Sequence, residues 1–395
     1  MKVAQFGEGG FLRGFVDWMF NSLNYDVTVI QPIEKGMLDV LAKQGYRYNL
    51  LLRGIENGKV VEQQTKISCI KDGINPYADW DKFLNFAKDG ELKIVVSNTT
   101  ESGIEYKPQS ISDAPHLTFP AKFALFLKAR YDAGGGGLVI LPCELIDNNG
   151  DALRNCVVKY AKDWNFGDGF LAWLGDSSFC NTLVDRIVTG FPKDIDTKGD
   201  DMFDTAEIYH LWVIEGRHED TLPLQKAGFN VIWTDDAAPY KKRKVRILNG
   251  AHTALVSYAM LRGFTTVGEC MANDEIRAFI KACVFDEIIP TLDLSKEELE
   301  SYANSVLERF ANPYIHHLLA SISLNSFDKF KVRVLPSILE FEKRFGKKPE
   351  KLMLAFDALY EFYQTDKVND AQPVIDFAKG ASKEQFWQKM QESSL

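Results

Sequence analysis

No Cys-x-x-Cys pair occurs anywhere in the 395 residues, and the six cysteines (Cys69, Cys143, Cys156, Cys180, Cys270 and Cys283) are scattered. Such spacing is poor for a zinc site or a disulfide framework, and it suits a reducing, cytoplasmic setting. An excess of basic charge is missing too. Lys and Arg total 46 against 55 Asp and Glu, a formal net charge of -9, which argues against general affinity for nucleic acid or anionic membrane. No run of about 20 apolar residues appears, and the opening "MKVAQFGEGG" carries no secretory apolar core. A soluble, intracellular protein that does not engage a membrane is expected.

What is abundant is material for a core: 46% hydrophobic residues with 27 phenylalanines describe a folded globular chain. Its length exceeds what one hydrophobic core usually organises, so two domains are expected. "KVAQF", then "GEGGF", then "LRGFVDWMFNSLN" and "DVTVIQP" read as strand, glycine turn, helix and strand. Strand signals recur at "YRYNLLLRG", "KVVEQQTKISCI", "LKIVVSNTT", "GGLVILPCEL" and "GFNVIWTDD", with helical periodicity at 78–89, 119–132 and 149–163 between them. This alternation predicts a mostly parallel sheet covered by helices over 1–237. From 238 to 395 nearly every segment has helical periodicity, which predicts a mainly α-helical second domain. No internal repeat is visible.

Gly7, Gly9 and Gly10, with Phe11 following, lie between the first strand and first helix, where absent side chains let backbone N–H groups approach a pyrophosphate. The third glycine of G-x-G-x-x-G falls on Leu12, so a plain structural turn stays open as the other reading. The next strand offers Gln31, and later Glu34, where a ribose ligand belongs, which leaves NAD or NADP undecided. Ser97, Asn98 and Thr99 end a later strand, placed either for ribose and nicotinamide or for ordinary capping.

Four basic residues, Lys241 to Lys244, run straight into Leu-Asn-Gly-Ala-His in "KKRKVRILNGAHTALV". On an ideal α-helix Asn249 and His252 stand about 140° and about 80° around from Lys244, but His252 lies roughly 12 Å further along the axis. Either Lys244 sits at an irregular helix start, or His252 meets a hydroxyl beside the atom that Lys244 serves.

"QFGEGGFLRGF", "SNTTESGI", "SFCNTLVDRIVTG" and Lys-x4-Asn-x2-His in "KVRILNGAHTAL" together resemble the polyol-specific long-chain dehydrogenases, the mannitol dehydrogenase family, from residue 2 to beyond 340. The resemblance implies a Rossmann-type N-terminal domain, a helical C-terminal domain, NAD as cofactor and metal-independent hydride transfer with a lysine acid/base. By motif position Lys244 is that lysine, while Asn249 and His252 bind and polarise the reacting oxygen. Where mannitol-oxidising relatives read Ser-Cys-Asp-Asn, this chain has Pro142, Cys143, Glu144 and Leu145. That departure agrees with a branch handling a hexuronate and its aldonate. A carboxylate substrate needs a cationic partner, and "FDKFKVRVLP" offers Lys329, Lys331 and Arg333 at alternate positions, or else a solvated basic edge. Asn312, Asp185 and Arg186 are further substrate-binding candidates, with an ion pair inside the fold the alternative for the last two. Fructuronate reduction, neutral polyol oxidation and a catalytically silent dinucleotide sensor are the rival functions, and monomer or homo-oligomer stays undecided.

Overall fold

A computed structural model describes residues 1–100 and 102–392, so Glu101 of the "SNTTESGI" segment lies outside it. The chain divides into two compact units, Met1–Arg53 with Val61–Ala237, and Gly54–Val60 with Ala238–Leu395. A single break near 237 therefore misses one element. The strand Tyr48–Glu56 pairs with Asp204–Glu207 only as far as Arg53, and the hairpin beyond it groups with the second unit. There Gly58 N–H donates to the Glu308 carboxylate at 2.8 Å.

In the first unit six parallel strands, Lys2–Phe6 (β1), Asp26–Ile30 (β2), Ile70–Ile74 (β3), Leu92–Ser97 (β4), Val139–Pro142 (β5) and Ser178–Phe179 (β6), lie in the order β3-β2-β1-β4-β5-β6. This is the doubly wound order, with the strand direction of travel reversing between β1 and β4. Alternate residues serve opposite faces. Val3, Val29, Ile94 and Val96 pack on one side with Phe15, Met19 and Phe20 of the first helices. Ala4, Phe6, Val95 and Ile140 pack on the other with Phe83, Phe123, Phe126 and Leu153. Two smaller sheets complete the unit. Val188–Gly190, Asp204–Glu207, Tyr48–Glu56 and Lys59–Ile67 form one, and Val231–Thr234, Leu211–Glu215 and Thr182–Asp185 the other.

In the described part of the second unit helices predominate, started by side-chain caps: Thr266 and Glu269 form a capping box, Asn273 accepts from Ile276 N–H, and Ser295 from Glu298 N–H. The helix Gly250–Met260 is buried almost all round, as a central helix must be. Helices Ser326–Arg333 and Glu350–Tyr363 pack on it. At Gly250 a β-carbon would come within 3.2 Å of the Arg333 carbonyl, so the missing side chain permits that approach.

Candidate active site

The C-terminal strand ends form a row. Gly7 N–H donates to Ile30 O (3.0 Å), Gln31 N–H to Ile74 O (2.9 Å), Asn98 N–H to Phe6 O (3.1 Å) and Cys143 N–H to Ser97 O (2.7 Å). Three glycines then divide the work of the turn. Gly7 has φ 126°, and a β-carbon there would sit 3.0 Å from the Asn98 carbonyl, so only glycine is comfortable. At Gly9 a β-carbon would meet nothing within 4 Å, which leaves the backbone open to a ligand. Close packing, the usual duty of the third glycine, falls to Gly14, where a β-carbon would lie 3.0 Å from both Val188 methyls. Leu12 is thereby free to be fully buried in the core. This cradle fits a dinucleotide pyrophosphate. Phe11 packs at the core margin, its ring 5.2 Å from Phe15.

The side chains after β4 are committed internally. Ser97 Oγ donates to Glu144 Oε2, and Thr99 N–H and Oγ1 both reach Glu144 Oε1, each at 3.0 Å. Asn98 Nδ2 donates to Cys143 O at 2.7 Å. Glu144 is thus a buried bracket joining the ends of β4 and β5, its carboxyl pushed up by burial against these hydrogen bonds. Leu145 beside it is exposed. Gln31 is buried as well, its amide donating to Ile33 O (2.9 Å) and Glu34 O (3.0 Å), so it shapes its own loop.

In the second unit the irregular helix start is a π-helix over Lys244–Asn249. With hydrogen bonds closing from i to i+5, residue 249 comes to lie over residue 244 instead of far around the axis. His252 follows three residues later in the α-helix Gly250–Met260, again on the same face as Asn249. Lysine, amide and imidazole therefore share one stripe, which an unbroken α-helix does not allow.

His252 stacks on Phe310, ring centroids 4.0 Å apart at 15°, and meets His317 edge to face at 4.9 Å. Its Nε2 is buried without a hydrogen-bond partner. Burial first, then His317, Arg309 and Arg333, hold its pKa well below the ordinary value, so the imidazole is neutral. Arg333 is half-buried, and its one side-chain hydrogen bond among the described residues is to the Thr253 hydroxyl at 3.4 Å.

Two family models account for nearly the whole chain: the mannitol dehydrogenase Rossmann domain matches residues 1–226 and the mannitol dehydrogenase C-terminal domain matches 236–395. The chain belongs to the mannitol dehydrogenase family. Membership makes it an oxidoreductase acting on CH–OH groups. Altronate oxidoreductases of Shigella flexneri and Escherichia coli are 44% identical to it, over 98% of this chain and 85% of theirs. Among solved structures, a D-sorbitol dehydrogenase in substrate-free form has a TM-score of 0.84 at 22% identity, covering 98% of this chain and 87% of that one. Pseudomonas fluorescens mannitol 2-dehydrogenase, in ternary complex with NAD and D-mannitol, has a TM-score of 0.68 at 22% identity, covering 99% and 86%. These two likenesses concern the fold.

Several other expected site residues of this mannitol dehydrogenase family member make contacts within the fold. Arg186 is buried, its guanidinium donating to Gly14 O (2.8 Å), Tyr209 O (3.1 Å) and Ile208 O (3.2 Å) and lying over Trp18. Asp185 is buried at the end of its strand, opposite Leu211. Asn312 is buried and accepts from Tyr314 N–H at 3.0 Å. Lys329, Lys331 and Arg333 do not alternate along an extended edge; they lie on the helix Ser326–Arg333, which puts Lys329 and Arg333 on one face and Lys331 on the other. Lys329 donates to Ile322 O at 2.9 Å. The basic run before Lys244 is likewise committed, Lys242 to Asp293 (2.9 Å) and Arg243 to Glu298 (2.8 Å). Those partners offset the positive charge that the sequence alone placed next to Lys244. His317, Phe310 and Glu144's bracket carry no local sequence signal, since each acquires its role from a partner distant in the chain.

Proposed function

We propose that this enzyme interconverts D-tagaturonate and D-altronate, as a reduction in hexuronate breakdown, with Lys244 as acid/base. The cofactor is NAD, held on the open side of Gly9. NADH, when bound, supplies the hydride that the carbonyl carbon receives. The Lys244 ammonium gives its proton to the carbonyl oxygen as that carbon becomes tetrahedral, and in the oxidative direction the free amine takes the hydroxyl proton back. Asn249 donates a side-chain N–H to the same oxygen. His252 stays neutral and offers its buried Nε2 edge to that oxygen or the adjoining hydroxyl. A positioned proton donor of this kind contributes about 10²- to 10⁴-fold.

The observation that carries the sugar-acid reading is Arg333, which reaches the Thr253 hydroxyl beside His252 at 3.4 Å and has no acidic partner among the described residues. A neutral polyol has no use for such a charge, whereas a carboxylate binds it through the guanidinium fork. The name of the altronate oxidoreductase relatives supports the same substrate.

The test is NADH and NADPH oxidation by purified protein given D-tagaturonate or D-fructuronate, repeated with Lys244→Ala and with chelator. Rapid NADH loss with tagaturonate, abolished in Lys244→Ala and indifferent to chelator, is the expected outcome. Turnover of fructuronate alone moves the specificity, and full activity of Lys244→Ala removes the lysine from the mechanism.

A further inference from the structure

Beneath the glycine turn lies a buried polar cluster that the proposed chemistry does not use. Gln5 comes from β1, Arg13 from the helix Gly10–Gly14, Asp17 from the helix Val16–Ser22, Tyr48 from the strand Tyr48–Glu56 and Asp204 from the strand Asp204–Glu207, and all five are buried. Two of them hold the turn itself. Gln5 Nε2 donates to the Gly7 carbonyl at 3.2 Å, and Arg13 Nη1 donates to the Glu8 carbonyl at 2.8 Å. In a trans peptide C=O and N–H point opposite ways. Drawing these two carbonyls inward therefore turns the N–H groups of Glu8 and Gly9 the other way; that of Glu8 meets its own carboxylate, and that of Gly9 is left toward the side where Gly9 meets open space.

We propose that Arg13, assisted by Gln5, is a positioning residue for the dinucleotide, presenting the Gly9 N–H to its diphosphate, and that the protonation of Asp17 and Asp204 beneath it sets how well it does so. The assignment rests on the reading of this turn as the NAD site.

Charge in the cluster is finely placed. Arg13 Nη2 lies 3.6 Å from Asp204 Oδ2, and the Tyr48 hydroxyl lies 2.9 Å from both Asp17 Oδ2 and the Arg13 carbonyl. Asp17 Oδ1 and Asp204 Oδ2 are buried without hydrogen-bond partners. Burial pushes each carboxyl up to about 7, against the pull of Tyr48 and Arg13 on Asp17 and of Arg13 on Asp204. Of the remaining titratable groups, the Cys69 thiol contacts the Asp17 carbonyl at 3.4 Å, while the Glu8 carboxyl, also raised by burial, turns away to accept from Met37 N–H at 3.1 Å. Below about 7 both aspartates hold protons over one guanidinium, and the first proton lost leaves the cluster neutral. Losing the second proton leaves a net negative charge under a bound diphosphate, so NADH binding weakens as pH rises through neutrality and, by linkage, binding takes up a proton.

The experiment is NADH binding to the full-length protein, followed by cofactor fluorescence without sugar acid, from pH 6 to 8.5 at constant ionic strength. Wild type is compared with Arg13→Gln, Arg13→Lys and Asp204→Asn, with thermal melts reporting the fold of each. Arg13→Gln is expected to raise the Kd about tenfold, with partial rescue by lysine and with the loss falling on KM for NADH and not on KM for the sugar acid. The wild-type Kd rises with pH, and Asp204→Asn shifts that dependence. Wild-type affinity in a folded Arg13→Gln overturns the positioning role. If Arg13→Gln does not fold, an unchanged pH profile in Asp204→Asn overturns the proton linkage. A wild type that binds no NADH at any pH overturns the reading of the turn itself, a different result from either.

Discussion

Phe310 forms a platform under His252, with the two rings nearly parallel at 4.0 Å. Replacing it with leucine keeps the apolar bulk but removes the flat surface that fixes the imidazole plane. Phe310→Leu is expected to lower kcat/KM for the sugar acid about tenfold, because small misplacements of a reacting group are costly, while KM for NADH holds. Steady-state kinetics with each substrate varied in turn decides it, and an unchanged kcat/KM removes the platform role. Phe310→Ala is expected to cost about 3 kcal/mol of stability as well, measured by urea unfolding.

The depressed pKa of His252 fixes the sign of its pH effect. The folded state holds the ring neutral, whereas the unfolded chain protonates it below about 6.5. Stability from this residue is therefore present above that value and lost as pH falls from it toward the lower folded pKa. His252→Gln should lose less stability than wild type between pH 7 and pH 5. Parallel denaturation curves for the two proteins across that range contradict the assignment.

Asp17 and Asp204 act with the opposite sign. Their folded values are raised to about 7 by burial, above the unfolded value of about 3.9. Their contribution is full below that unfolded value and is lost as pH rises through about 7. Asp204→Asn is expected to gain on wild type as pH climbs from 5 to 8, by on the order of 2 kcal/mol. Thermal melts of both proteins at each pH test this, and a constant difference defeats it.

Gly9 and Gly14 separate ligand space from packing space. Gly9→Ala places a methyl where nothing lies within 4 Å, so its melting temperature should match wild type while the Kd for NADH rises. Gly14→Ala drives a methyl against Val188 at 3.0 Å and should cost about 1–3 kcal/mol through overpacking. Equal NADH affinity in Gly9→Ala and wild type would place the diphosphate elsewhere.

Much of this was legible in the residues. Helices Phe119–Asp132 and Asn149–Asp163 follow directly from their periodicity and from the turn residues that stop them. The strands Asp204–Glu207 and Leu211–Glu215 did not, being four and five residues long and paired with segments far away in sequence. Asp204 also disguises its strand, because a buried acid reads as a loop residue until Arg13 and Thr205 are seen beside it. In the site, the spacing of Lys244 and His252 left open an irregular helix start or a second contact on the substrate, and no residue type announces a π-turn. Gln31, Ser97, Thr99 and Arg186 have the polar character of ligand contacts and spend it on hydrogen bonds within the fold, which only the tertiary arrangement discloses.

Glu144 offers a test of that distinction. Its carboxylate accepts from Ser97 Oγ, Thr99 N–H and Thr99 Oγ1. In Glu144→Gln the amide oxygen can keep both Thr99 donors, and the amide N–H can donate to Ser97, whose hydroxyl rotates to accept. That variant also removes a buried charge and should stay within about 1 kcal/mol of wild type. Glu144→Ala leaves the Thr99 N–H and two hydroxyls unsatisfied and should cost about 1–3 kcal/mol, and the loosened ends of β4 and β5 should raise KM for NADH. A residue contacting substrate predicts the reverse order of severity in kinetics: Glu144→Gln would impair KM for the sugar acid without touching stability. Melting temperature and both KM values, measured on the two variants, tell the bracket from the ligand.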